Sequence, residues 1–305
     1  MKVDVIIPCF NEEVAIGAVI DDFKKFLPQA NIYVFDNNST DLTSDVAKRR
    51  GAQVVLSRRQ GKGCVVRHSF RVLDADIYLM VDGDATYSIE DAPKLIQTLI
   101  DSQADMVVGA RLENSTAKSF RKFHRFGNRL ISGLITKLFR VEITDVLSGY
   151  RVFTKEFVKT VPLTSRGFEI ETELTLQASD KGLRIIEVPT FYKDRPEGSF
   201  SKLRTYSDGI LIFKTIFTIF KNYNPLVFFF SLAGICAVLS LIAGLAPILD
   251  FYREHYVYHL PRAILSAGLG VLSIQFLGIG LILDTVALNQ RENFELNRMK
   301  NRSFN

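Results

Sequence analysis

The chain has 305 residues, 47% of them hydrophobic and 23% charged, and a formal net charge of +5. Its aliphatic and aromatic content excludes intrinsic disorder. Three scattered cysteines, Cys9, Cys64 and Cys236, with no CxxC or Cys/His spacing, argue against a disulfide framework or a structural zinc site. No nucleic-acid module signature, repeat or low-complexity tract accompanies the positive charge, so its partners are sought among anionic lipids and phosphorylated substrates, not nucleic acid.

Short apolar runs alternate with helical stretches through the first half. Met1–Phe10 reads as a strand, since its apolar run is too short for a signal peptide. The strand proper is Val3–Pro8, followed by a helix start at Asn11-Glu12-Glu13, with Ile20, Phe23 and Phe26–Leu27 at helical spacing. Ile32–Phe35 is the second strand, ending at Asp36-Asn37-Asn38-Ser39-Thr40-Asp41, where Thr40 or Asp41 can cap the helix running to Arg50. Ala52–Leu56 is the third, and Gly61-Lys62-Gly63 opens the next helix. Asp76–Val81 is the fourth, ending at Asp82-Gly83-Asp84, and Asp105–Val108 the fifth, ending at Gly109-Ala110-Arg111. This alternation predicts an α/β domain with a mostly parallel sheet covered on both faces. Ligands of such sheets collect beyond the carboxyl ends of the strands. Asn11, Asp36, Asp82, Asp84 and Arg111 all fall there.

Lys118–Arg140 carries seven Lys or Arg and no acid, interleaved with Phe120, Phe123, Phe126 and aliphatic residues. It reads either as an ordinary amphipathic surface helix or as an interfacial helix on an anionic leaflet. Glu169 and Glu171 start a helix, where matching to the helix dipole accounts for acids, so neither is assigned as a base. Ile210–Phe220 reads as a second interfacial helix. Pro225–Leu249 and Ala263–Leu283 carry no charge. As helices they would be roughly 38 and 32 Å long, against a bilayer core of ~30 Å. They are expected to be transmembrane.

Asp82-Gly83-Asp84 puts two carboxylates on one turn past a strand end, a donor set for a hard divalent cation that bridges diphosphate oxygens. Beside it stand Ile7-Pro8-Cys9-Phe10-Asn11-Glu12, the Asp36–Asp41 segment, Gly61-Lys62-Gly63, Gly109-Ala110-Arg111, Asp145-Val146-Leu147-Ser148-Gly149-Tyr150-Arg151 and Arg195-Pro196-Glu197-Gly198-Ser199-Phe200-Ser201-Lys202-Leu203. In this order they resemble a family 2 glycosyltransferase with a GT-A, Rossmann-like domain. More narrowly, the chain is similar to membrane-bound polyprenyl-phosphate sugar synthases of the dolichol- or undecaprenyl-phosphate type.

The resemblance implies roles for particular residues. Pro8, Phe10, Asn11 and Glu12 would hold the base and ribose, with Asn38 beside them, and Asp36 would accept a uracil or guanine N–H. For Asn11 and Asp36, capping of the following helices is the alternative. Lys62 would hold the diphosphate with Asp82 and Gly83; the glycine spacing is not that of a P-loop. Asp82 and Asp84 would bind Mg²⁺ or Mn²⁺, while Thr86 stands where the family often has Gln and is not assigned as a ligand. Arg111 and Arg125 match phosphate-binding positions near the reaction centre, with a solvated helix face as the alternative for Arg125. Arg195, Ser201 and Lys202 would meet the acceptor phosphate, with a positive-inside anchor as the alternative for the two cations. Asp145 would orient the acceptor or its cationic partners.

The implied reaction is an inverting transfer from a nucleotide-diphospho-sugar to polyprenyl phosphate, for cell-envelope or glycan assembly. UDP-glucose or UDP-GlcNAc is favoured and GDP-mannose is the alternative; a non-catalytic nucleotide-sugar-binding scaffold is the reading from another class. The expected divisions are a catalytic domain at 1–205, a juxtamembrane helix at 206–224, spans at 225–249 and 261–283, an external loop at 250–260 and a tail at 284–305. Charge around the spans predicts an integral multi-pass membrane protein with its catalytic domain and both termini on the cytoplasmic face. Small residues four apart, Ala233/Ala237, Ser240/Gly244 and Ser266/Gly270, allow close helix approach, either within one chain or in a homo-oligomer; the resemblance favours an oligomer, such as a tetramer.

Overall fold

A computed structural model of the chain describes residues 1–111, 132–133, 135–136, 143–193, 195–196, 217–218 and 221–303. Most of the basic stretch 118–140, including Arg125, lies outside the described residues, as do Ser201, Lys202 and most of 206–224. The chain divides into two compact units, Met1–Phe213 and Lys214–Asn305.

The first unit is built on a seven-stranded sheet. In chain order its strands are β1 (Val3–Cys9), β2 (Asn31–Asp36), β3 (Gln53–Leu56), β4 (Ile77–Met80), β5 (Met106–Arg111), β6 (Arg151–Thr154) and β7 (Ile185–Thr190). The helices are α1 (Ile16–Phe26), α2 (Thr43–Arg49), α3 (Lys62–Val72), α4 (Ala92–Ser102), α5 (Lys155–Thr160) and α6 (Ile170–Asp180). The strand order is β3-β2-β1-β4-β6-β5-β7.

The five strands read from the sequence are present, but the mostly parallel sheet becomes a mixed one. β6 runs antiparallel between β4 and β5, with Met80 opposite Arg151 and Val108 also opposite Arg151. β7 then adds parallel to β5. At four residues, Arg-Val-Phe-Thr, β6 is too short and too polar for apolar periodicity to reveal it. Its direction matters for the site. An antiparallel strand starts at the edge where its parallel neighbours end, so 143–150 arrive beside the ends of β4 and β5.

Side chains of a strand alternate between the two faces of the sheet. Val5, Ile7 and Cys9 therefore join one buried cluster with Ile16, Ile20 and Phe23 of α1 and Leu95 and Leu99 of α4. Ile6, Phe35, Tyr78 and Met80 join another with Val66 and Phe70 of α3, Phe157 of α5 and Leu174 of α6. At about 1.5–3 kcal/mol for each large apolar side chain, these two layers hold the strand ends in register.

The second unit is an antiparallel helix hairpin, α7 (Pro225–Glu254) and α8 (Leu260–Ser303). Ser240 Oγ donates to the Ser266 carbonyl and Ser266 Oγ to the Ser240 carbonyl, each at 2.8 Å. Ser273 Oγ donates to the Ala233 carbonyl at 2.9 Å. A Cβ on Gly244 would stand 2.7 Å from Ser266 Oγ. Ala233, Ser240, Gly244 and Ser266 thus serve close approach within one chain. By length and composition both helices could cross a membrane, a test that the core helix of a soluble protein also passes.

Candidate active site

The loops after β1 and β2 are sewn together. Asn11, at φ 54°, accepts from the Thr40 N–H at 2.8 Å through Oδ1, and its own N–H donates to Ser39 Oγ at 3.0 Å. The buried Glu12 donates its N–H to Thr43 Oγ1 at 2.8 Å. Asp36 accepts from the Ser39 N–H at 3.1 Å and from Ser44 Oγ at 2.8 Å. Asn11 and Asp36 therefore brace strand-end turns. Pro8 and the partly exposed Phe10 flank Cys9 at the end of β1.

Asn37 is the centre of the next loop, and sequence reasoning passes over it. Its Nδ2 donates to the Ser57 and Arg59 carbonyls at 2.9 and 2.8 Å, and its Oδ1 accepts from the Gly61 N–H at 2.7 Å. Asn38 Nδ2 adds a bond to the Arg58 carbonyl at 2.8 Å. Together they deliver Gly61 and Lys62 to the start of α3. Asn37→Ala would leave buried groups unpaired, and we expect it to cost about 2 kcal/mol. Chemical unfolding followed by circular dichroism measures this.

α3 begins against the loop before α6. The Gly63 and Cys64 N–H groups donate to the Gly167 and Arg166 carbonyls at 3.1 and 3.3 Å. A Cβ on Gly61 or Gly63 would collide with the Arg166 or Ser165 carbonyl. This docking seats the Lys62 ammonium between two carboxylates, Asp82 and Glu171, with ion pairs to both. Burial alone would disfavour the ammonium, but Asp82 and Glu171 outweigh it and hold the Lys62 pKa above the ordinary lysine value. Nothing in the sequence separates Glu171 from Glu169 and Glu173. Only the packing of α3 on α6 selects it.

On the same turn, Asp84 is buried. Thr86 donates to its Oδ1 from N–H and Oγ1, at 3.2 and 2.6 Å, and Arg195 Nη2 pairs with its Oδ2 at 2.6 Å. Burial, then the charge of Asp82, pushes the Asp84 carboxyl above its ordinary pKa, against the pull of Arg195 and Thr86. A Cβ on Gly83 would stand 2.5 Å from Cys9 Sγ, so a larger residue there would have to displace that side chain.

Arg111, at the end of β5, makes a two-pronged pair with Asp145. Nε to Oδ2 and Nη2 to Oδ1 are both 2.7 Å, and the Arg111 N–H adds 3.1 Å to Oδ2. Burial would raise the Asp145 pKa, but Arg111 more than reverses this and holds it below the usual carboxylate range. Glu187 of β7 clamps the segment by accepting from the Asp145 and Thr144 N–H groups at 2.9 and 2.8 Å. The buried Arg151 donates to the Val146 and Ser148 carbonyls at 2.6 and 2.8 Å and to Thr175 Oγ1 at 2.9 Å. Burial brings its pKa down to about 10. Tyr87 Oη accepts from the Gly149 N–H at 2.9 Å. A Cβ on Gly149 would reach within 2.6 Å of Asp82 Oδ2. Gly149→Ala should therefore turn Asp82 aside and slow transfer by about 10²-fold while the fold survives. Steady-state rates and circular dichroism on one preparation check both halves.

The structure thus brings Lys62, Asp82, Asp84, Arg111, Asp145 and Arg195 to one sheet edge; Arg125, Ser201 and Lys202 lie outside the described residues. Among the described residues no cluster of three or more acidic, His or Cys ligands is present. Two buried-edge carboxylates still suit a hard cation, which commonly takes one or two carboxylates and completes its shell with substrate phosphates.

Residues 4–161 match the family model "Glycosyl transferase family 2". Glycosyltransferase AglJ of Haloferax volcanii is 32% identical over 289 residues, 94% of this chain and 94% of that protein. A dolichyl-phosphate hexose transferase of the same organism is 29% identical over 70% of this chain and 91% of its own. Glucosyl-3-phosphoglycerate synthase of Mycobacterium tuberculosis, solved with Mn²⁺, UDP and glucosyl-3-phosphoglycerate, superposes with a TM-score of 0.59 at 23% identity, over 72% of this chain and 79% of that one. The expected GT-A, Rossmann-like domain is borne out, and the expected divalent cation has its counterpart in the Mn²⁺ of those complexes.

One expectation is corrected: placement as an integral multi-pass membrane protein with its catalytic domain and termini on the cytoplasmic face. The superposing synthase is solved with phosphoglyceric acid, a water-soluble molecule, so this catalytic architecture does not depend on a membrane. The two apolar helices satisfy only length and hydropathy, which soluble core helices also satisfy. The family match and the full-length relative establish the coarser reading: the chain is an enzyme that transfers a sugar from a nucleotide-diphospho-sugar donor, and it belongs to glycosyl transferase family 2.

Proposed function

We propose that the acceptor is the phosphate of a polyprenyl lipid and the donor a UDP-sugar, such as UDP-glucose or UDP-GlcNAc. One observation carries the choice of a phosphate. Each acid the site brings together is already engaged: Asp82 and Glu171 by Lys62, Asp84 by Arg195 and Thr86, Asp145 by Arg111. A sugar hydroxyl needs a base to take its proton. A phosphomonoester, with a second pKa near ~6, is largely dianionic at neutral pH and needs none. The name of the dolichyl-phosphate hexose transferase supports the lipid form of that phosphate.

In this reading Pro8, Phe10, Asn11, Glu12 and Asn38 hold base and ribose, and Asp36 accepts the uracil N–H. Lys62 and the Gly83 turn hold the diphosphate. Asp82 and Asp84 hold Mg²⁺ or Mn²⁺, which when bound offsets charge on the leaving diphosphate. Arg111, positioned by Asp145, and Arg125, Arg195, Ser201 and Lys202 receive the acceptor phosphate. An acceptor phosphate oxygen attacks the anomeric carbon, the bond from that carbon to the diphosphate oxygen breaks, and UDP leaves with the electron pair. The configuration inverts. Catalysis is alignment of two anions and suppression of their repulsion.

The test combines purified full-length chain, Mn²⁺ and either UDP-glucose, UDP-GlcNAc or GDP-mannose with short-chain polyprenyl phosphate or 3-phosphoglycerate. Mass spectrometry is expected to find polyprenyl-phospho-sugar from a UDP-sugar. Turnover with phosphoglycerate alone overturns the lipid acceptor, and turnover with GDP-mannose alone overturns the donor.

A further inference from the structure

Lys62 is nearly buried, and its single ammonium is divided between Asp82 at the end of β4 and Glu171 in the first turn of α6. Glu171 is itself buried, at 4% exposure. The arrangement is rigid, because the starts of α3 and α6 are joined by the Gly63 and Cys64 bonds to the 166–167 carbonyls. A lysine placed directly on a cation-binding carboxylate would oppose the cation, since the two positive charges compete for one anion. Here a second carboxylate draws on the same ammonium. The other cation felt by Glu171, Arg151, has its guanidinium committed to the Val146 and Ser148 carbonyls and Thr175. Arg195, from the segment after β7, pairs with Asp84.

We infer that Glu171 is a positioning residue for the cation site: by sharing Lys62 it draws the ammonium's positive charge partly away from Asp82 and keeps that carboxylate oriented and available to the divalent ion. Glu171 acts through Lys62 and touches neither substrate nor metal. The inference rests on the proposed assignment of the cation to Asp82 and Asp84. It explains why a helix-start acid is buried against a lysine, where dipole matching alone would leave it in solvent. It also accounts for the close fit of Gly61 and Gly63 against the 165–166 carbonyls, which brings Lys62 within reach of both acids.

The experiment titrates Mn²⁺ alone against the full-length protein by electron paramagnetic resonance, with no donor or acceptor, and checks folding by circular dichroism. Glu171→Gln leaves Lys62 wholly to Asp82 and should weaken Mn²⁺ binding about tenfold, the scale of one charge removed a few ångströms away in a partly shielded site. The double variant Lys62→Met/Glu171→Gln removes the competitor together with its second partner. It should bind Mn²⁺ at least as tightly as the wild type. Wild-type affinity in Glu171→Gln overturns the inference. So does a double variant that binds more weakly than wild type, because that marks Glu171 as structural support alone; this comparison holds even where the single variant does not fold. Asp82→Asn separates the two levels. If it weakens Mn²⁺ binding while Glu171→Gln does not, the site assignment stands and the inference falls. If it has no effect, both fall.

Discussion

Asp84→Asn is expected to lower sugar transfer by about 10²- to 10³-fold, with folding intact. Asp84 is buried on the turn after β4, and its proton affinity is raised by burial and by Asp82, so the native pair gains from a neighbouring cation. The amide keeps the shape and can still accept from Thr86. It loses the charge that pairs with Arg195 and that, in the proposed assignment, holds the cation. Asp82→Asn should act in the same direction, since Asp82 shares the turn and is set by Lys62 and the bare backbone of Gly149. Steady-state rates at saturating Mn²⁺, with circular dichroism as the folding control, measure the effect. Chelation of the wild type should reproduce the loss, and added Mn²⁺ should restore it. Near wild-type rates in chelator would overturn the assignment of a cation to this turn.

Asp145→Ala is expected to destabilise the catalytic unit by about 3 kcal/mol, the lower end for breaking a buried pair. The variant leaves Arg111 without the two prongs that orient it and removes a partner of its N–H. It also removes the buried carboxylate at the foot of the Ser148–Gly149 segment, which the Glu187 clamp holds against the sheet edge. Arg111→Lys should not rescue geometry, because an ammonium cannot reproduce a planar fork. The pair also sets a pH dependence. Asp145 has a pKa below that of an unfolded aspartate, so its contribution to stability is fully present above about 4, the unfolded value. It fades as pH falls through the lower folded value. Acid unfolding of the wild type should therefore be steeper below pH ~4 than that of Asp145→Asn, as followed by intrinsic tyrosine fluorescence or circular dichroism.

What the sequence determined by itself was local and periodic. The apolar runs at Val3–Pro8, Ile32–Phe35, Asp76–Val81 and Asp105–Val108 announce strands because burial on both faces demands unbroken hydrophobicity. Asp82-Gly83-Asp84 and Arg111 then follow as strand-end residues, and the site's edge of the sheet can be read from them. The apolar stretches of α7 and α8 are as plain, but hydropathy states only that a helix avoids water and not what covers it. Tertiary structure decided the partnerships. β6 is invisible to periodicity because four residues flanked by a β4 and a β5 far away in sequence derive their stability from those neighbours. Its reversed direction delivers Asp145 to Arg111 and Gly149 to Asp82. β7, equally unannounced, supplies Glu187. Glu171 looks like any acid at a helix start until α3 docks on α6 and Lys62 is caught between it and Asp82. A side chain's chemistry is written in one position, but its charge state and orientation depend on residues dozens to a hundred positions away, which only the folded packing brings within hydrogen-bond distance.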